Sequence, residues 1–180
     1  MHFEDDVKIA DFGKKIEKKN KPTPTPDDYE KELKSGNIEK AALIGEKLAD
    51  TLIENINKFV SDDGEDNSEM MLQRGTLLAF AATVGMEEHI KSSVILDAAK
   101  SSFNSTIEAK RKDLYRHFLE SGAFSFYYLA YRRQPDEIER RIGQTFAMLC
   151  AHDGDSVYQE LGEAIYCWFI SLTKKIIEKI

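Results

Sequence analysis

Five tyrosines and an arginine stand out as groups that could do chemistry: Tyr127, Tyr128, Tyr131 and Arg132, then Tyr158 and Tyr166. Phenol hydroxyls orient a bound molecule by donating hydrogen bonds, and a guanidinium binds anions. Apolar walls with a few convergent polar groups are what a small-molecule pocket needs. A buried tyrosine must find a partner for its hydroxyl. Five within forty residues is more polar capacity than a plain core uses. The two expectations are therefore a filled aromatic core and a ligand pocket lined by these six residues.

Metal chemistry has thinner support. The four histidines are His2, His89, His117 and His152. Glu87, Glu88 and His89 are adjacent, and adjacent helical residues face different ways, so they cannot share one ion. A di-iron bundle needs two Glu-x-x-His pairs, but Met86, Leu114 and Leu149 stand three residues before the helical histidines.

His152-Asp153 resembles the His-Asp pair of the metal-dependent phosphohydrolases named after that dipeptide, which are all-α. The resemblance implies His117 as an upstream ligand and Asp155 as the last one. It departs from the family in placing Asp155 only two residues after Asp153, with Gly154 between. Glu160-x-x-Glu163 resembles one acidic motif of the magnesium-dependent all-α pyrophosphohydrolases, without their second motif. No metal or cofactor is expected, with His117, His152 and Asp153 the weak metal candidates. No phosphate-binding loop, nucleophile elbow or Cys-x-x-Cys pattern occurs. The acidic stretch 61–69 carries five carboxylates, but its glycine is out of place for a calcium loop.

The elements that must hold these residues read as helices throughout. Ile38, Ala42, Gly45, Ala49, Leu52, Ile56 and Phe59 recur every three or four residues, the period of an amphipathic helix. Residues 67–86 are apolar nearly all round, with Gly75, Ala79, Ala82 and Gly85 forming a small-residue face for close helix approach. A short helix is expected over 87–101. Ser105-Thr-Ile-Glu108 reads as a capping box that starts another. Leu114 to Tyr131 holds seven aromatic residues in eighteen positions, pointing all ways around a helix. That predicts enclosure by other helices at the centre of the core. Pro135 reads as a first helical position, and the helix it opens is expected to run to about His152. A last helix carries Val157, Leu161, Ala164, Trp168, Leu172 and Ile176. No two-residue alternation predicts a strand.

Residues 1–20 read as a helical arm. Glu4, Asp5 and Asp6 lead it and Lys14, Lys15, Lys18 and Lys19 trail it, as the helix dipole prefers. Phe3, Val7, Ala10, Phe12 and Ile16 give it a weak apolar stripe. Residues 21–26, Lys-Pro-Thr-Pro-Thr-Pro, read as a stiff extended spacer. Residues 27–180 form the all-α domain. A compact antiparallel bundle of five to seven helices is expected. The alternative is a stack of helical hairpins, because Ser35 to Leu48 resembles the turn and second helix of a tetratricopeptide repeat.

The chain of 180 residues is 42% apolar and 32% charged, within the range of soluble globular domains. Cys150 and Cys167 sit in apolar runs and are expected to be reduced. The acidic start lacks a signal-peptide pattern, and the longest apolar run is about half of what a bilayer needs. A cytoplasmic location is expected, with no membrane contact. The net charge of −7 repels phosphate backbones, so nucleic acid is not an expected partner. The expected function is a non-enzymatic protein-interaction or adaptor module. Its partner is expected to be a protein, basic if charge decides, or another copy through the N-terminal arm. The alternatives are a small-molecule-binding bundle and a phosphohydrolase-like enzyme.

Overall fold

Apolar residues at helical spacing build eight α-helices among the residues that a computed structural model describes, 24–57, 68–133 and 135–180. They are α1 (Pro26–Lys34), α2 (Asn37–Asn55), α3 (Ser68–His89), α4 (Ser93–Lys110), α5 (Lys112–Glu120), α6 (Ala123–Arg133), α7 (Ile138–Leu149) and α8 (Ser156–Lys179). A 3-10 turn, Pro135–Glu137, leads into α7. No strand occurs among the described residues. The N-terminal arm, the first part of the Pro-Thr spacer and nearly all of the acidic stretch lie outside them.

The fold is an all-α bundle, as the periodicity predicts. Its helix boundaries show where packing overrides local signals. Thr25 caps α1 reciprocally with Asp28, so Pro26 opens the helix at its first position rather than closing the spacer. The box at Ser105 starts nothing, because α4 passes straight through it. Leu96, Ala99, Phe103 and Ile107 are all buried and keep one face of α4 seated. The break falls later, at Arg111, which leaves helical geometry. The helix expected to reach His152 ends at Leu149 instead. Ala151 turns left-handed (φ 61°) and the amides of Ala151 and His152 bond back to Met148 and Ala147, a Schellman ending built without glycine.

The most extensive packing joins α2 to α4, which run parallel. Ser102 donates to the Ala42 carbonyl at 2.7 Å, and Lys110 pairs with Asp50 at 2.6 Å, the same offset along both helices. Gly45 permits this contact, since a methyl group there would lie 2.7 Å from the Phe103 nitrogen and closer still to the Ala99 carbonyl. Gly143 plays the same part between α7 and α8, against the backbone of Gln159 and Glu163. The small face predicted on α3 receives side chains, not a backbone. Gly75 faces Leu114 and Ile56, and Gly85 faces Thr173.

The centre of the core is α3. Residues 73–82 are buried without interruption, followed by Val84, Gly85 and Met86. The aromatic α6 lies against it on one side only. Ala123, Tyr127 and Ala130 are buried, while Phe126 is 48% and Leu129 57% exposed. The expectation that α6 is enclosed all round is corrected here, because no described helix covers its outer face.

Candidate functional site

Tyr127, Tyr128, Tyr131 and Tyr166 are brought together around one ring that the sequence reading passed over, Phe80 of α3. Its centroid lies 5.3 Å from Tyr127, 5.1 Å from Tyr128, 6.3 Å from Tyr131 and 6.4 Å from Tyr166. Phe124 packs edge-on at 5.9 Å. Offset and edge-to-face pairs at these separations are attractive. Phe80 therefore occupies the middle of the tyrosine cluster.

The hydroxyls at the rim are taken up by the last turn of α3. Tyr128 donates to Glu87 Oε1 at 3.1 Å, and Lys100 pairs with the same oxygen at 2.5 Å. Tyr131 donates to Glu88 Oε1 at 2.6 Å. Arg132 lies over the Tyr128 ring, 5.6 Å from its centroid. Burial, then the Glu87 charge and hydrogen bond, pushes the Tyr128 hydroxyl up to about 12. Tyr131 is raised by burial and by its bond to Glu88, and Tyr166 mainly by burial. Tyr128 and Tyr131 are thus held neutral, as donors. Tyr127 is fully buried, and its hydroxyl has no hydrogen-bond partner among the described residues.

Tyr158 lies apart from this cluster, its ring stacked flat on His152 at 3.6 Å. His117 sits on α5 with Nε2 buried and without a hydrogen-bond partner among the described residues. Asp155, the last ligand implied by the phosphohydrolase resemblance, caps α8 by accepting from the Val157 amide at 2.8 Å. Among the described residues, no three His, Cys, Asp or Glu side chains converge as a metal site. The Cys150 thiol is pushed up to about 12 by burial, so it is held as a neutral thiol.

Among the described residues, a groove of about 500 Å³ along α1 is lined by charged and polar side chains, and two others carry large apolar ones. The larger, about 770 Å³, runs between α6 and α7 and is lined by Phe126, Leu129, Ala130, Thr145 and Met148, with Glu137, Arg140, Arg141, Gln144 and Asp153 around them. Met148 is 41% exposed, so three large apolar side chains face water in one trough. Glu137 lies 3.7 Å from both Arg140 and Arg141 at one end. Asp153 stands beyond the C-terminus of α7 at the other. The smaller groove, about 350 Å³, lies between α2 and the end of α8, lined by Leu43, Ile176 and Ile180. Neither groove is lined by Tyr127, Tyr128, Tyr131, Tyr158 or Tyr166.

The sequence reading missed Phe126 and Leu129 as surface groups. The only available signal was that α6 is apolar on more faces than one neighbour can cover. It also missed Arg74, which is 1% exposed and donates from Nε to the Ile56 carbonyl at 3.2 Å. A lone arginine within an otherwise apolar run is the signal that marks it.

Comparison with known proteins gives no match to any family model, curated protein or solved structure. Among the described residues, no helix is long and apolar enough to cross a membrane.

Proposed function

We propose that this protein is a helical protein-interaction module whose α6–α7 groove receives an amphipathic helix. The observation that carries the reading is the row of Phe126, Leu129 and Met148, exposed together along a trough between two helices. Exposed apolar residues scattered singly are ordinary, whereas a contiguous lined groove marks a binding surface. Helix-in-groove recognition uses apolar anchors spaced by three, four and seven residues. Burying the exposed halves of these three side chains contributes roughly 1 kcal/mol each. Charged side chains, Arg140, Arg141 and Glu137 at one end and Asp153 at the other, give the trough a polar rim.

The test uses the full chain and a fluorescein-labelled 16-residue helical peptide with a leucine stripe, glutamates in its first turn and lysines in its last. Saturable anisotropy is expected, weakened at least tenfold by Leu129→Asp and by Phe126→Asp. Both positions are exposed, so far-UV circular dichroism should stay unchanged. Peptide binding that survives both substitutions undiminished would overturn the reading.

A further inference from the structure

We infer that α5 is a strap that lifts from the bundle as one unit, hinged at Arg111 and Gly122, and uncovers an apolar notch at Gly75 of α3. The inference is separate from the α6–α7 groove and does not rest on it.

Both ends of α5 are joints. Arg111 leaves helical geometry (φ −143°, ψ 70°), so the rod of α4 does not continue into α5. Gly122 turns left-handed (φ 71°), with open space where a side chain would stand. The helix between these joints has nine residues. A helix shorter than about 12 residues is marginal in water by itself. α5 is therefore helical because it is seated, and it unravels when it lifts.

The seat is small. Leu114 and Phe118, one turn apart, are the buried residues of α5. Leu114 drops onto Gly75, where a β-carbon would lie 2.5 Å from Leu114 Cδ1 and 2.6 Å from Ile56 Cδ1. The side chain that Gly75 lacks is thus the notch that receives Leu114. Phe118 leans on Tyr115 of its own helix at 5.2 Å and on Phe124 at 5.5 Å. The neighbouring α4 is held far more widely, by Val94, Leu96, Ala99, Phe103 and Ile107. Segments with few buried apolar contacts open at a lower free energy than the core.

Polar groups do not tie the strap down. The Arg111–Asp113 ion pair lies within the joint itself. The polar reach from that joint to α3 is the 3.9 Å contact of Arg111 Nη2 with Met71 Sδ, and a thioether is a weak acceptor. His117, between the two anchors, has a buried Nε2 without a hydrogen-bond partner among the described residues. A buried polar atom in that position has given up its bond to water, and lifting α5 returns it.

The experiment is hydrogen–deuterium exchange of the full chain, read amide by amide at several low urea concentrations. Amides of residues 115–120 are expected to exchange about a hundredfold or more faster than those of residues 76–82, with a smaller dependence on urea. Residues 96–107 and 127–130 should stay slow. Gly75→Ala fills the notch against Leu114, so it should speed exchange in α5 by a further tenfold or so and leave residues 96–107 unchanged.

Equal protection and equal urea dependence in α5 and α3 would overturn the inference, because α5 would then open only with the whole bundle. Fast exchange that spreads into residues 96–107 or 127–130 would also overturn it, because the moving unit would not be hinged at Arg111 and Gly122. If Gly75→Ala fails to fold, the comparison within the unaltered chain still decides.

Discussion

The Tyr131 hydroxyl donates to Glu88 Oε1 at 2.6 Å, and this bond ties α6 to the last turn of α3. Beside it, Tyr128 donates to Glu87. The two bonds fix how far α6 can roll on α3. They turn Tyr127 inward against Phe80 and leave Phe126 and Leu129 outward. The exposed groove follows from that rotation. The residues that first suggested a pocket thus act as the clamp that orients a surface on the opposite side of the same helix.

Removing the clamp should loosen α6. Tyr131→Phe and Tyr128→Phe each delete a hydrogen bond to a carboxylate at a partly exposed site, with an expected cost of ~1 kcal/mol each. Urea denaturation measures this directly. Hydrogen exchange in α6 should rise in the double variant while α3 stays protected.

The same phenols set an alkaline limit. Tyr128 is raised to about 12, against about 10 in an unfolded chain. The folded state therefore keeps its proton longer than the unfolded state does. Its contribution is whole below pH 10 and is lost as the pH rises from 10 toward 12. The urea midpoint should fall between pH 10 and pH 12, and fall less in Tyr128→Phe. An equal fall in both chains would remove Tyr128 as a cause.

At the acid end the marker is Asp113. Its bond to Arg111, Oδ2 to Nη2 at 2.7 Å, holds the carboxyl down to about 2. Because the folded value lies below the unfolded one, its contribution is present above pH 4 and disappears as the pH falls toward 2. Asp113 is exposed, so Asp113→Asn should cost under about 1 kcal/mol at neutral pH. That difference should vanish near pH 2.

Glycine and alanine positions separate crowding from backbone strain. Gly143→Ala drives a methyl into the Gln159 carbonyl region and to 3.2 Å from the Glu163 nitrogen, with an expected loss of about 2 kcal/mol or more. Gly122→Ala meets no atom within 4 Å but sits at φ 71°, so strain alone should cost ~1 kcal/mol. Ala151→Gly runs the other way, relieving the left-handed residue of the Schellman turn and gaining about 1 kcal/mol. Thermal denaturation ranks the three.

Much of this architecture was legible in the residues, and the failures have physical causes. The α2 helix could be read from its spacing, and Gly45, Ala49, Leu52 and Ile56 are buried as the stripe places them, but Ile38 and Ala42 are only half-buried, Ala41, Ile44 and Leu48 are buried beside them, and Phe59 lies outside the described residues. The all-round apolarity of residues 67–86 suggested only close helix approach, whereas the structure makes α3, not the aromatic stretch 114–131, the buried centre of the core. The same pattern in α6 misled, because apolarity states what a residue tolerates and not whether a neighbour exists to cover it. Ser105 shows the converse, a sound local cap overruled by Phe103 and Ile107 packing against the bundle. Phe80 could not be singled out, since nothing about one phenylalanine in an apolar helix says that four tyrosines will gather around it. The groove needed α6 and α7 placed side by side, a pairing between separate helices that no local motif encodes.

The most direct test is an amide chemical-shift map of the isotope-labelled full chain on titration with the stripe-bearing helical peptide. Docking in the α6–α7 groove predicts the largest shifts at residues 126–130, 140–148 and 153, with the α2–α8 groove around Leu43 and Ile176 unchanged. Shifts centred on Leu43 and Ile176, or no shifts along α6 and α7, would contradict it.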